Sequence, residues 1–215
     1  MILVCFVKVP TDACADRLLS AVRRAFGKKN EQYIAQIESK KSEQGKIEGL
    51  AALLCLKALL DELNIGESAL THLKLARNEN GKPYFENSTL QFNLSHSHSY
   101  VACALSDEGE IGIDVEASEL TDERATRLTK RYFGAYNAPC DAKAFAREWT
   151  KKEAETKLYG GRLGEYLKGE KSNEHICAEK NNVFFSSFEI DGHPITLCAK
   201  KTPSQIKQID VKLDF

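Results

Sequence analysis

Long apolar runs are missing from this 215-residue sequence. No stretch approaches the ~18 consecutive apolar residues of a membrane-spanning helix, which argues against a helical membrane protein. A positive charge excess is missing too: 30 Lys and Arg stand against 31 Asp and Glu, for a net charge of -1. Nucleic-acid binders usually carry a basic field, so none is expected here, and any anionic ligand has to be met by local cations. The seven cysteines (5, 14, 55, 103, 140, 177 and 198) form no C-x-x-C pair and are odd in number. Several lie inside apolar runs, so reduced, buried thiols are expected rather than a disulfide framework or a zinc site. The opening MILVCFVKVP has no basic segment and no small-residue cleavage site. It reads as a first β-strand, and the expected location is the cytoplasm. What is present, 42% hydrophobic and 28% charged residues, is the composition of an ordinary globular chain. Its length permits one large domain or two small ones.

Periodicity places a buried strand at 2–9 and a helix at 15–26 with Leu18, Leu19, Val22 and Phe26 on one stripe. A partly helical charged stretch at 29–42 leads to a long helix at 43–63, whose stripe is Ile47, Leu50, Leu53/Leu54, Ala58 and Leu60. Gly81-Lys82-Pro83 is a turn. Short strands follow at 90–94, 100–105 and 110–116, then helices near 121–133 and 141–160, then strands at 183–190, 194–200 and 206–213. The polar stretch 162–182 reads as a loop. This order predicts an α+β fold with antiparallel sheets, in two similar halves meeting near 106–110.

Four short segments carry candidate chemistry. In EGEIGIDVEASE (108–119), Ile111, Ile113 and Val115 alternate with Gly112, Asp114 and Glu116. Residues two apart on a strand share a face, with Cβ atoms roughly 7 Å apart, so Asp114 and Glu116 can converge on one point. Carboxylates crowded there suit a hard divalent cation such as Mg²⁺. In W-T-K-K-E-A-E-T-K (149–157), Trp149, Glu153 and Lys157 recur at i, i+4, i+8 on one helical face. Glu153 can add a third oxygen to the cation, while Lys152 and Lys157 can meet phosphate. Phe92-Asn-Leu-Ser-His-Ser-His98 reads as a strand stopping in small polar residues that can clasp a phosphate, and Lys82 is presented on its turn. Each segment also has an ordinary structural reading: an exposed acidic strand end, a surface Glu–Lys pair beside a packed Trp, a solvated loop histidine, a plain turn.

Taken together and in order, G-K-P, F-N-x-S-H-S, I-G-I-D-x-E and W-x-x-K-E-A-x-x-K over residues 81–157 resemble the 4′-phosphopantetheinyl transferase superfamily, of the longer surfactin-synthetase-activating type. The resemblance implies a pseudodimer of two α+β halves, residues 1–106 and 107–215, each a small antiparallel sheet packed with helices, and a monomeric chain. It implies transfer of the phosphopantetheine arm of coenzyme A to a serine of an apo acyl or peptidyl carrier protein, with release of 3′,5′-ADP. Asp114, Glu116 and Glu153 would hold Mg²⁺, or Mn²⁺. Glu153 would also deprotonate the serine, and Lys157 would meet the pyrophosphate. Lys82, Pro83, Ser95, His96 and Lys152 would join Asp114 and Lys157 around coenzyme A, with Ser95 and His96 at the adenosine 3′-phosphate.

The sequence departs from the family pattern in two places. No acid follows the Arg131-Tyr132-Phe133 segment until Asp141, which puts the weight of base catalysis on Glu153. At the start of the long helix, Lys40, Lys41 or Lys46 stands in for an arginine that relatives use on coenzyme A phosphate. Two rivals remain open: a metal-dependent nuclease, disfavoured by the neutral charge, and a non-catalytic carrier-protein-binding homologue.

Overall fold

The computed structural model describes residues 1–70, 72–133, 141–161 and 183–213. Strand β1 (Ile2–Lys8) is apolar at nearly every position and is buried on both faces. It pairs antiparallel with β5 (Tyr100–Ser106), Cys5 opposite Cys103, and β5 pairs antiparallel with β4 (Gln91–Ser97). On its other edge β1 takes a parallel partner from far along the chain, β9 (Ile206–Gln208), giving the sheet order β4-β5-β1-β9. The strand expected at 206–213 therefore stops at Gln208. Beyond it the Ile209 amide still donates to the Val4 carbonyl at 2.8 Å, and Ile209, Val211 and Leu213 are half-buried against the first core.

The helices of this half cover one face of that sheet. Helix α1 (Ala15–Phe26) buries Leu18, Val22 and Phe26, as its stripe predicts. The charged stretch after it resolves into a 3₁₀ turn (Lys28–Asn30) and α2 (Glu31–Glu38), which buries Tyr33, Ile34 and Ile37. Helix α3 (Glu43–Glu62) is capped by Ser42, whose Oγ accepts from the Gly45 amide at 3.2 Å. It is buried more widely than a single stripe: Ala51, Ala52, Cys55, Leu56 and Leu59 are in the core, whereas Ile47, Leu54 and Ala58 are only half-buried. The reason is that α3 packs against α1 and α2 on one side and the sheet on the other. A short helix α4 (Glu67–Leu70) precedes a hairpin of β2 (Leu75–Arg77) and β3 (Pro83–Phe85), strands too short for the pattern to announce. Its turn is the expected one, with Gly81 at φ 85°.

The second sheet is β6 (Ile111–Val115), β8 (His193–Ala199) and β7 (Phe184–Ile190), antiparallel in the order β6-β8-β7. Its inner face (Ile111, Ile113, Val115, Ile195, Leu197) packs with Ile2, Val4, Ala102 and Ala104 of the first sheet. Helices α5 (Asp122–Tyr132) and α6 (Ala142–Leu158) cover the outside, capped by Thr121 and Asp141. Among the described cysteines, 5, 55, 103 and 198 are buried thiols and Cys14 is exposed. No helix among the described residues is long and apolar enough to cross a membrane. The loop expected at 162–182 and the segment 134–140 lie outside the described residues.

Candidate active site

The two sheets do not join by a backbone ladder where β4 and β6 run side by side. Side chains at alternate positions of β4 take its place. Asn93 Oδ1, Ser95 Oγ and Ser97 Oγ accept from the amides of Ile113 (2.8 Å), Val115 (3.4 Å) and Ala117 (3.1 Å). Period-2 spacing puts all three on one face of β4, and each satisfies a backbone donor of the facing strand. The Asn-x-Ser-x-Ser pattern is thus a stitch between the sheets. The strand does not stop at Leu94 as expected; it continues through Ser97 because this stitch and the β5 ladder hold it.

On β6 the face opposite the core carries Gly112 and Asp114, and it is closed by α6. A Cβ on Gly112 would lie 2.1 Å from the Ala154 carbonyl oxygen and 2.6 Å from the Leu158 nitrogen, so only glycine admits the helix this close. The close approach carries Lys157 over the strand. Its Nζ donates to Asp114 Oδ1 at 2.6 Å and to Ser95 Oγ at 2.8 Å, and Ser95 Oγ in turn donates to Asp114 Oδ1 at 2.7 Å. Burial pushes the Asp114 carboxyl up, and Lys157 and Ser95 pull it back. Glu116, just past the strand end, accepts at Oε1 from Ser97 Oγ (3.2 Å) and from the Ser118 amide (2.7 Å). Glu153, one turn before Lys157, is pushed up to about 7, first by burial and then by the charges of Asp114 and Glu116.

The three acids therefore share one electrostatic neighbourhood. They are not drawn up as a ready ligand cluster: among the described residues no group of three His, Cys, Asp or Glu is spaced to hold a metal ion as it stands. The Lys157 ammonium occupies the cationic place on Asp114 instead. The donor set nonetheless fits a hard divalent ion. All potential ligands are carboxylate oxygens, and among the described residues the hydrogen bonds to Asp114 and Glu116 end on one oxygen of each. The mutual repulsion that raises Glu153 is what a cation would relieve.

Beside this cluster opens a cleft of about 350 Å³, bordered by Lys40, Arg77, Lys82, Pro83, His96 and Lys157. Of the three lysines near the start of α3, Lys40 faces this cleft; Lys46 pairs with Glu43, and Lys41 is exposed. Lys82 is anchored as well as presented: its Nζ donates to the Leu158 carbonyl at 2.8 Å and that of Ile111 at 3.3 Å, closing the C-terminal end of α6. Burial lowers it to about 8. His96 Nδ1 meets Glu48 Oε2 at 2.8 Å, and its Nε2 lies 3.5 Å from Lys40 Nζ.

Two sequence-predicted residues sit elsewhere than expected. Lys152 borders a separate, wider groove of about 1120 Å³ between α5, α6 and the β7–β8 hairpin, and it pairs with Glu155 at 3.5 Å. Five residues separate it from Lys157, which on a helix turns it to another face. Ser95 lies under Asp114 and Lys157, its hydroxyl engaged by the stitch, rather than open to a ligand. Trp149 packs against Phe145 and Tyr132, in keeping with a role in seating the helix. Sequence reasoning missed Glu48, an acid 6% exposed inside an otherwise apolar helix face. Its one signal was a lone carboxylate at a core position.

The fold and site together define an α+β protein whose acid-and-lysine cluster, beside a cation-lined cleft, suits a phosphate-bearing ligand. No family model matches the chain. It is 41% identical to 4′-phosphopantetheinyl transferase AcpT of Salmonella typhi over 91 residues, 39% of this chain and 47% of that protein. With AcpT of Escherichia coli (strain K12) it is 35% identical over 109 residues, 45% of this chain and 56% of that one. With 4′-phosphopantetheinyl transferase gsp of Aneurinibacillus migulanus it is 29% identical over 171 residues, 74% of this chain and 66% of that protein. The chain spans about half the length of the AcpT proteins that it matches. Over these stretches the chain is thus similar to proteins named 4′-phosphopantetheinyl transferase, in line with the resemblance its ordered motifs carry.

Proposed function

We propose that this protein transfers the 4′-phosphopantetheine group of coenzyme A to a serine hydroxyl of an apo acyl or peptidyl carrier protein, releasing 3′,5′-ADP. One observation carries the reading: Lys157 bridges Asp114 and Ser95 at the mouth of a cleft lined by Lys40, Lys82 and His96, with Glu153 one turn away on the same helix. The cleft supplies the local cations that a coenzyme A polyanion needs on a chain of net charge -1.

Asp114, Glu116 and Glu153 would hold Mg²⁺ or Mn²⁺, which, when bound, neutralises pyrophosphate charge and stabilises the leaving group. Glu153, poised at about 7, takes the proton of the incoming serine hydroxyl. The serine oxygen forms a bond to the phosphorus that carries the pantetheine arm, and the bond from that phosphorus to the bridging pyrophosphate oxygen breaks. The electron pair leaves with 3′,5′-ADP, and Lys157 meets the charge that develops there. Lys82, Pro83, His96 and Lys40 line the nucleotide side. Residues 1–106 and 107–215 act as two similar halves of a pseudodimer, stitched by β4 and β6, in a monomeric cytoplasmic protein.

The test is direct. Incubated with Mg²⁺, coenzyme A and apo carrier proteins, the protein adds one phosphopantetheine per carrier, read by mass spectrometry, and 3′,5′-ADP accumulates. No mass gain on several different apo carriers overturns the proposal.

A further inference from the structure

Glu48 is a buried carboxylate for which the transfer chemistry has no use. Its Oε1 accepts from the Ser99 amide and from Gln44 Nε2, both at 2.9 Å. An amide oxygen in the same place would satisfy those two donors equally well. Among the described residues its Oε2 meets only His96 Nδ1, at 2.8 Å. Removing a carboxylate from water is costly unless a charged partner offsets it, so the acid is explained by an imidazole that becomes cationic.

The geometry around His96 says when that happens. With Nδ1–H held by Glu48, a neutral ring turns the lone pair of Nε2 toward Lys40 Nζ and the cleft. The charged groups facing the ring are Glu48 from α3, Lys40 from the segment after α2, and Lys157 from α6. Burial and the two ammonium groups hold His96 below its ordinary value while the cleft has no anion in it, and Glu48 opposes them. An anionic phosphate arriving between Lys40 and Nε2 cancels the repulsion. The ring then takes up a proton, and that proton has one place to go.

We propose that Glu48 is a positioning residue: by holding Nδ1–H of His96 it directs the second proton to Nε2, where the imidazolium and Lys40 together grip a phosphate of the bound nucleotide. This rests on the transferase reading, because it takes coenzyme A as the source of that phosphate.

Calorimetric titration of coenzyme A in the presence of Mg²⁺ tests it with four proteins: the unsubstituted chain, Glu48→Gln, Glu48→Ala and His96→Ala, plus the double variant. The unsubstituted protein takes up protons on binding, seen as a dependence of the binding heat on the buffer. Glu48→Gln keeps its oxygen for the Ser99 amide and Gln44 and turns an NH2 donor toward Nδ1, so it stays folded while the ring is held neutral and the proton uptake on binding is lost. Glu48→Ala weakens binding by about tenfold or more, the scale of one charge-assisted hydrogen bond. In the His96→Ala background the same substitution costs less than about twofold, since the residue it positions is gone. An equal loss in both backgrounds shows a purely structural Glu48 and overturns the inference, as does a Glu48→Ala protein that binds like the unsubstituted one. Failure of the unsubstituted protein to bind coenzyme A at all overturns the transferase reading instead.

Discussion

The Lys157 ammonium lies 2.6 Å from Asp114 Oδ1 and 2.8 Å from Ser95 Oγ, so one cation ties α6, β4 and β6 together at a single buried point. Lys157→Met leaves the Asp114 carboxyl buried without its counter-charge. The fold loses on the order of 1–3 kcal/mol, measured by urea denaturation. Transfer falls by at least about a hundredfold, the size of effect expected on losing a donor aimed at developing charge, with the loss in kcat. A variant as active as the parent shows that Lys157 is a structural tie alone.

Glu153→Gln separates stability from activity. The Glu153 carboxyl is raised from 4.5 to about 7. Between these values the folded chain holds a proton that the unfolded chain has released, so its contribution to stability is complete below 4.5 and is lost as pH rises through about 7. The amide cannot ionise. Compared with the parent in the presence of a chelator, the variant melts a few degrees higher at pH 8, and the difference closes toward pH 4.5. Transfer is abolished at every pH. An active Glu153→Gln enzyme would show that another group takes the serine proton.

Gly112→Ala tests the helix–strand contact. The added methyl meets backbone, the Ala154 carbonyl oxygen and the Leu158 nitrogen, and neither can rotate away. Helix α6 has to lift from β6, carrying Lys157 off Asp114. The expected cost is at least about 3 kcal/mol, at the upper end of overpacking effects, with transfer lost in whatever fraction stays folded. A Gly112→Ala protein of unchanged stability and activity contradicts this packing.

Lys82 gives a pH dependence of the opposite sign. Burial lowers it from 10.5 to about 8. Between these values the unfolded chain binds the extra proton, so the Lys82 contribution to stability is complete above 10.5 and is lost as pH falls through about 8. The stability difference between the parent and Lys82→Met, from denaturation curves at pH 7.5 to 10, should therefore grow with pH, by on the order of 1–3 kcal/mol. Coenzyme A affinity of the parent moves the other way over the same range, because the neutral amine no longer attracts phosphate. A stability difference independent of pH removes Lys82 from this account.

Asn93→Ala and Ser97→Ala probe the stitch between the sheets. Each leaves a backbone amide of the β6 edge, Ile113 or Ala117, without its acceptor. The fully buried Asn93 site should cost about 1–3 kcal/mol and the half-buried Ser97 site less, by the same denaturation measurement.

Most elements were legible in the sequence because their signals are local. Apolar stripes marked α1 and α3, a continuous apolar run marked β1, and alternation marked β6. Glycine with proline marked the turn before β3. The strand period put Asp114 and Glu116 on one side of their segment, and the helix period put Glu153 and Lys157 on one side of theirs. The two-residue spacing of Asn93, Ser95 and Ser97 was visible, but its meaning was not. Whether small polar side chains face a ligand or a neighbouring strand depends on what lies opposite, and β6 is twenty residues further along the chain.

The sequence alone settled which residues can lie on one side of a given strand or helix, because backbone geometry repeats every two or every 3.6 residues whatever surrounds it. Tertiary structure decided which of those sides meet. It brought Lys157 onto Asp114 through the gap left by Gly112, sent Lys152 to another groove, set Glu48 behind His96, and drew β9 back to β1. Each of these contacts joins segments whose separation along the chain carries no trace of their distance in space, and only packing of the whole core brings them together.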